Sequence, residues 1–141
     1  MKKIFLIIIS LFVVISCSKK EVPFEAFSAE AFAFDLGDGI SEVNATVRVK
    51  GFTQLKDDEN YSASVAYRID LITPDSTIRK DVYKFVQESK EKEPINDIPL
   101  DVQFSLDSTY MAGNYTLIYN IEDENSDNEL EVKVNFDLQW E

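Results

Sequence analysis

The chain has 141 residues, with 26 acidic side chains, 14 basic ones and a formal net charge of −12. This length suits one domain, and so acidic a surface repels nucleic acid and anionic lipid headgroups, so neither is expected as a ligand. Histidine is absent and there is a single cysteine, which removes the commonest general base, the usual transition-metal ligand and any intramolecular disulfide.

The first 17 residues have the pattern of a targeting segment. Lys2 and Lys3 precede an apolar run from Ile4 to Ile15, and about a dozen apolar residues are too few to span a bilayer comfortably. The run ends in Val14-Ile15-Ser16-Cys17. This sequence resembles the lipobox of bacterial lipoproteins, in which an aliphatic residue stands three positions before the cysteine.

The resemblance implies that signal peptidase II removes residues 1–16 as a signal peptide, and that Cys17 carries a diacylglycerol and usually a further acyl chain such as palmitate. Several acyl chains anchor a protein stably. Residues 17–23 would then be a lipidated tether and residues 24–141 a single domain. Ser18 follows the cysteine, which favours the outer membrane over the inner one, with the periplasmic or surface side left open. An ordinary secretory signal or membrane anchor with an incidental cysteine is the alternative.

The segment from Phe24 to Leu36 predicts the first strand of the domain. Phe32, Phe34 and Leu36 alternate with smaller or polar side chains, so they are expected to share one face and to pack in the core. Alanine and glutamate also favour helix, so a helix over Glu25–Ala33 is the alternative. Gly37-Asp38-Gly39 then predicts a turn.

Further strands are predicted from strict alternation of apolar and polar residues, which indicates one buried and one wet face. The most regular run ends the chain, with every even position apolar from Leu130 to Trp140. The apolar sets that are expected to face inward begin and end at these residues: Val43 to Val49, Tyr61 to Leu71, Leu100 to Leu106, Tyr115 to Ile121, and Leu130 to Trp140.

The segment Ile78–Val86 has no single apolar face, because Tyr83 and Phe85 oppose Val82 and Val86. This pattern is typical of an edge strand or of a strand that crosses between sheets. The segment Glu88–Pro94 is predicted to form a charged loop after this strand.

About seven strands separated by turns predict an all-β fold, an antiparallel β-sandwich. Met111 to Leu117 resembles the Gly-x-Tyr-x-Leu start of the penultimate strand in immunoglobulin-like domains, which implies an immunoglobulin-like β-sandwich. The resemblance implies that the Tyr115 hydroxyl bonds back to the preceding corner. The disulfide and partner tryptophan of antibody domains are missing, and a barrel or another sandwich topology is the alternative.

The polar run Asp123–Glu129 joins the last two strands as a hairpin. Asp123, Asn125 and Asp127 match the one-three-five spacing of oxygen ligands in calcium loops. The pattern then fails, because Asn128 replaces the glycine and Val134 the bidentate glutamate. A solvated acidic hairpin tip is favoured, and a weak calcium site is the alternative.

Two turns resemble an acceptor motif for periplasmic O-glycosylation, Asp75-Ser76-Thr77 and Asp107-Ser108-Thr109. The candidate acceptors are Ser76 and Ser108. Asp-Ser is also common turn chemistry, which is the alternative.

No nucleophile elbow or phosphate-binding glycine loop occurs, so the chain is expected not to be an enzyme and to use no cofactor. The leading hypothesis is a lipoprotein of the cell envelope that acts as a protein-binding or scaffolding module. A calcium- or glycan-binding surface module is the alternative. The candidate interface is the segment Ile78–Val86, with Tyr83, Lys84 and Phe85, although lysines on an edge strand also protect a sheet against unwanted pairing.

Overall fold

The computed structural model describes residues 20–141, and the predictions for Cys17 and for residues 1–16 lie outside this range. All regular elements within this range are antiparallel strands. Their bounds are β1 Glu25–Gly37, β2 Ile40–Lys50, β3 Leu55–Lys56, β4 Tyr61–Ile72, β5 Ile78–Glu91, β6 Ile98–Asp107, β7 Gly113–Asp123 and β8 Glu129–Leu138. No helix in residues 20–141 has the length and apolar composition to cross a membrane.

The strands form two sheets that pack as a β-sandwich, which confirms the predicted fold class. One sheet has the order β1-β2-β6, and the other has β5-β4-β7-β8, with the two-residue β3 beside the start of β4. In constant-type immunoglobulin domains four strands face three. Here the strand after β4 stays in the sheet of β4 instead of joining β1, β2 and β6, so β5 becomes an edge strand.

The core contains most of the apolar side chains that alternation predicted to face inward. Val47, Val65 and Leu117 are fully buried. Other members of the predicted sets are only partly buried and pack against the core, namely Tyr61, Phe104, Leu130, Val132, Val134 and Trp140. The rings of Tyr115 and Phe136 stack with their centroids 5.2 Å apart. The Tyr115 hydroxyl donates a hydrogen bond of 2.7 Å to the Met111 carbonyl oxygen, which confirms the predicted tyrosine corner.

The prediction for the first strand is right about the element and wrong about its face. Phe32, Phe34 and Leu36 are exposed on the outer face of the sandwich, while Ala31 and Ala33 point inward and pack against the core. The register pairs Ala31 with Ala45 and Ala33 with Val43, after a bulge between Phe27 and Glu30. Because the inner side chains of β2 share the face of their cross-strand partners, this register turns the alanines inward.

The predicted end of the strand Ile78–Val86, which is β5 in the structure, is also wrong. The segment read as a charged loop from Glu88 continues the strand to Glu91, because Gln87 to Glu91 pair with Val65 to Tyr61 of β4. A local pattern does not show such a pairing, since the partner lies more than twenty residues away in the chain.

The strand directions place the loops in two groups. The chain enters β1 at the end that also carries the β2–β4, β5–β6 and β7–β8 connections, and the other three turns lie at the opposite end. At the first end Gly51 has φ +76°, and a Cβ there would lie 2.0 Å from the Pro23 carbonyl oxygen. The backbone at Pro23 therefore packs directly against Gly51.

Candidate functional site

The candidate site is the edge strand β5 and the groove beside it. β5 pairs with β4 from Ile78 to Glu91 and has no partner strand on its other side within residues 20–141. From Tyr83 to Glu91 the pairing is regular. Its outer row of backbone N–H and C=O groups is thus available to another strand.

Apolar side chains of β5 remain exposed on both faces of the sheet. Ile78, Phe85 and Val86 keep 52%, 50% and 47% of their surface accessible. Tyr83 and Phe85 lie on the inner side beside Tyr67, each with its ring centroid 6.1 Å from that of Tyr67. The structure therefore brings these two predicted interface residues together.

Tyr67 contacts both of these rings and also hydrogen-bonds to the other sheet. Its hydroxyl donates a hydrogen bond of 2.6 Å to the Asp101 carbonyl oxygen in the other sheet, and its ring stacks on that of Tyr119 at 6.2 Å. Burial raises the pKa of both phenols above the ordinary value. Both phenols are therefore neutral at neutral pH, and Tyr67 links the rings of Tyr83 and Phe85 to Tyr119 in the core.

Lys84 lies on the opposite face from Tyr83 and Phe85. That face has a groove of about 350 Å³ in front of Ala66, whose small side chain leaves space between β5 and β7. Its walls include Arg68, Lys84, Val86, Asn120 and Glu122. The groove can take an apolar side chain and offers both signs of charge at its rim.

The basic side chains along β5 contact other side chains of the same chain. Lys84 Nζ lies 3.0 Å from an Asp81 carboxylate oxygen, and Lys90 Nζ lies 3.5 Å from one of Asp57. The Arg79 guanidinium lies 5.2 Å from the centre of the Tyr110 ring. These groups stay largely exposed, so each contact contributes little to stability.

Asp70 shapes the strand and was not singled out by sequence reasoning. Its side chain is only 2% exposed, and its carboxylate accepts hydrogen bonds from the Asp81 backbone N–H at 2.9 Å and from Lys80 Nζ at 3.1 Å. Asp81 has φ +55°, inside a bulge of β5. Asp70 therefore holds the bulge that ends the regular part of the edge. In the sequence Asp70 alternates with apolar residues, as a solvent-facing strand residue does. No local signal therefore predicts that it is buried.

Burial acts most strongly on the pKa of Asp70 and raises it, but the hydrogen bonds from Asp81, Lys80 and Asn120 together hold the pKa below the ordinary value of 3.8. The carboxylate is therefore ionised at neutral pH, which the ion pair with Lys80 requires.

The three candidate calcium ligands differ in burial and in hydrogen bonding, and calcium binding there stays a prediction. Asp123 is buried and its two oxygens accept hydrogen bonds from the Thr53 N–H at 2.8 Å, the Ser126 hydroxyl at 2.7 Å and the Asn125 N–H at 3.1 Å. Asp127 is exposed. Among residues 20–141, no group of three or more acidic, histidine or cysteine side chains is placed to hold a metal ion. Asp123 instead ties the hairpin to the loop after β2.

The candidate glycosylation residues lie in turns at the end of the sandwich opposite the N-terminal tether. Ser76 and Ser108 are both exposed. In each turn the preceding aspartate accepts a hydrogen bond from a backbone N–H two residues on, that of Thr77 at 3.1 Å and that of Thr109 at 3.0 Å. This is the geometry of an aspartate turn, and glycosylation remains a prediction.

No protein-family model matches this sequence, and no curated protein matches it. Among solved structures the chain is similar to a Bordetella pertussis protein given the name ApaA, with 10% identity, a TM-score of 0.40, and coverage of 80% of this chain and 93% of that one. It is also similar to a protein from Archaeoglobus fulgidus, with 11% identity, a TM-score of 0.35, and coverage of 82% and 99%.

A third similarity is to the GH3 beta-glucosidase of Bifidobacterium adolescentis, with 14% identity, a TM-score of 0.31, and coverage of 79% of this chain and 17% of that one. At these identities and TM-scores, none of the three similarities carries an argument about function.

Proposed function

We propose that this protein is a lipid-anchored, non-enzymatic module of the bacterial cell envelope that binds a protein partner through the edge strand β5. The anchor is the acylated Cys17 that the lipobox resemblance implies, in the outer membrane. The partner is a protein segment that adds a strand to the sheet, a common mode of recognition in which backbone hydrogen bonds supply affinity and side-chain pockets supply specificity.

One observation carries the proposal. The regular part of β5, from Tyr83 to Glu91, is an open edge that keeps Phe85 and Val86 half exposed on opposite faces. An added strand would place its alternate side chains beside Phe85 on one face, and beside Lys84 and Val86 at the rim of the groove on the other. The bulge at Asp81 sets where such pairing must stop.

Protection of the edge is the competing explanation for the lysines of β5. Lys84 and Lys90 would then serve only to discourage pairing. Protection alone requires charged side chains and gives no reason for two large apolar side chains to stay exposed between them. Phe85 and Val86 therefore favour a binding role for the strand.

The test is site-specific photo-crosslinking of the full chain in the cells that produce it. A benzoylphenylalanine at position 85 should form a discrete adduct, and the same amino acid at position 133, on the outer face of β8, should not. Val86→Ser should reduce the adduct several-fold, whereas Ile78→Ser, equally exposed but beyond the bulge, should leave it unchanged. No adduct at position 85, or equal adducts at both positions, would contradict the proposal.

A further inference from the structure

The outer face of the three-stranded sheet carries an apolar stripe, which Glu30 interrupts between Phe27 and Phe32. It consists of Phe27, Phe32, Phe34, Leu36 and Ile40, whose exposed fractions run from 37% to 60%. The Phe32 and Phe34 rings meet edge to face, with centroids 4.9 Å apart. At about 3.3 Å per residue the stripe extends about 30 Å along β1.

The remainder of this outer face is polar. The cross-strand neighbours of Phe32 and Phe34 on β2 are Asn44 and Glu42, and these in turn pair with Gln103 and Ser105 on β6. An exposed apolar patch of this extent marks a surface that contacts something other than water.

We infer that this stripe lies on the surface of the lipid bilayer in which the chain is anchored. The inference rests on the proposed acylation of Cys17. Six residues, Ser18 to Pro23, separate Cys17 from Phe24, and they reach at most about 20 Å when fully extended. Because Gly51 packs directly against Pro23, the folded domain begins there and stays within that distance of the membrane.

This short tether makes weak contacts effective. A short flexible linker gives a linked surface an effective concentration on the order of millimolar, so the half-exposed phenylalanines need little affinity of their own. β1 is the first strand after the tether, so the stripe begins beside the tether at Phe27 and runs away from it to Leu36. Phenylalanine and leucine are the side chains that surface-bound proteins insert at the boundary of headgroups and acyl chains.

The charged side chains that border the stripe determine which lipid headgroups it can contact. Glu30 and Glu42 lie on the same face as the phenylalanines. The basic groups near Phe27 are Arg48, which is paired with Asp97, and Lys50 at the end of β2. Lys50 Nζ lies 2.7 Å from a Glu25 carboxylate oxygen and 5.6 Å from the centre of the Phe27 ring. Both are therefore paired with carboxylates, and the border keeps an excess of acidic groups. An acidic border is repelled by an anionic membrane surface. The lipid surface that fits this border is therefore zwitterionic, and a second copy would bring an acidic border of its own against this one.

The inferred contact fixes the orientation of the molecule. With β1, β2 and β6 turned toward the bilayer, the five-stranded sheet is the layer that faces the aqueous space. β5 and its groove are then accessible to a protein partner.

Spin labelling of the acylated full chain, purified from membranes and placed in phosphatidylcholine vesicles, tests this inference. Leu36→Cys and Lys133→Cys introduce one new thiol each, on the stripe and on the opposite outer face. One nitroxide per chain means that the Cys17 thiol is blocked by its lipid. Two per chain would contradict the proposed anchor, independently of where the stripe lies.

In vesicles, the label at position 36 should collide several-fold more with oxygen, which partitions into lipid, and less with aqueous nickel chelate than the label at position 133. Adding Phe32→Ser and Phe34→Ser should return position 36 to the aqueous pattern, and adding phosphatidylglycerol to the vesicles should weaken the contact. Aqueous behaviour at both positions would overturn the inference. Reduced collision with both reagents at position 36 would also overturn it, because that result indicates contact with a second copy or another protein.

Discussion

Gly51 and Gly37 have nearly the same φ angle but different surroundings. Their φ angles are +76° and +81°, but a Cβ on Gly51 would meet the backbone of Pro23 and Phe24, whereas one on Gly37 would meet nothing within 4 Å. The two positions thus separate the cost of a left-handed conformation from the cost of a steric clash.

We expect Gly37→Ala to lower the free energy of unfolding by about 1–2 kcal/mol, the cost of a side chain in this conformation. Gly51→Ala should lower it further, because Pro23 must move away, and should make the chain near Pro23 sensitive to protease. Urea denaturation and limited proteolysis of both variants measure these effects. Equal urea midpoints would show that the packing of Pro23 on Gly51 contributes nothing.

Two buried carboxylates, Asp70 and Asp123, make the fold sensitive to acid. Burial is the largest influence on the pKa of Asp123 and raises it, but hydrogen bonds from Thr53, Ser126 and Asn125 together hold the pKa below the ordinary value of 3.8. A depressed pKa in the folded state contributes stability above the unfolded pKa. That contribution is lost as the pH falls through the lower, folded pKa.

The free energy of unfolding should therefore fall as the pH is lowered from about 5 to about 2. Asp123→Asn should flatten this acid limb and should already be destabilised at neutral pH, because an amide nitrogen cannot accept the hydrogen bonds that the lost oxygen accepted. Urea midpoints measured across that pH range test the expectation. Asp127→Asn, exposed on the same turn, controls for the change in net charge, and an acid limb that is unchanged in Asp123→Asn would contradict it.

At the scale of the strand, β8 shows how strict alternation sets register. Phe136 is buried and stacks on Tyr115, while Lys133 points outward. We expect Phe136→Ala to cost about 3–5 kcal/mol, the usual range for removing a buried aromatic ring. Lys133→Ala should cost less than about 0.5 kcal/mol. The measurement is the urea midpoint of each variant, and similar midpoints would refute this register.

β1 and β5 are the strands for which the local sequence pattern and the tertiary structure disagree. Both are edge strands, but so are β6 and β8, whose inward faces the alternation predicts correctly. On β1 the large apolar side chains Phe32, Phe34 and Leu36 lie on the outer face, which the opposite sheet does not cover. On β5, Phe85 and Val86 lie on opposite faces and both stay about half exposed, so an edge position alone does not explain these exposed side chains.

At the scale of the whole molecule, the anchor decides whether the two surfaces work together. If the lipobox resemblance holds, Cys17→Ala should move the protein from the membrane fraction to the soluble fraction, because the acyl chains supply the stable attachment. The stripe on β1 alone should not retain it. Fractionation of cells that express each form is the measurement, and full retention of the variant in membranes would contradict the lipoprotein proposal.

The sequence by itself determined the fold class, the strands β2, β4, β6, β7 and β8, and the corner at Tyr115. In these strands the alternation of apolar and polar residues coincides with burial, because each has an inner face against the opposite sheet.

Only the tertiary structure decided which face of β1 is buried, how long β5 is and what Asp70 does. Alternation shows that Phe32 and Phe34 share a face, but which face is buried depends on the register with β2 and on what covers the sheet. β5 reaches Glu91 because β4 is present to pair with it, and Asp70 is buried because a bulge of β5 closes over it. Each of these outcomes depends on residues that are distant in the chain and adjacent in the fold.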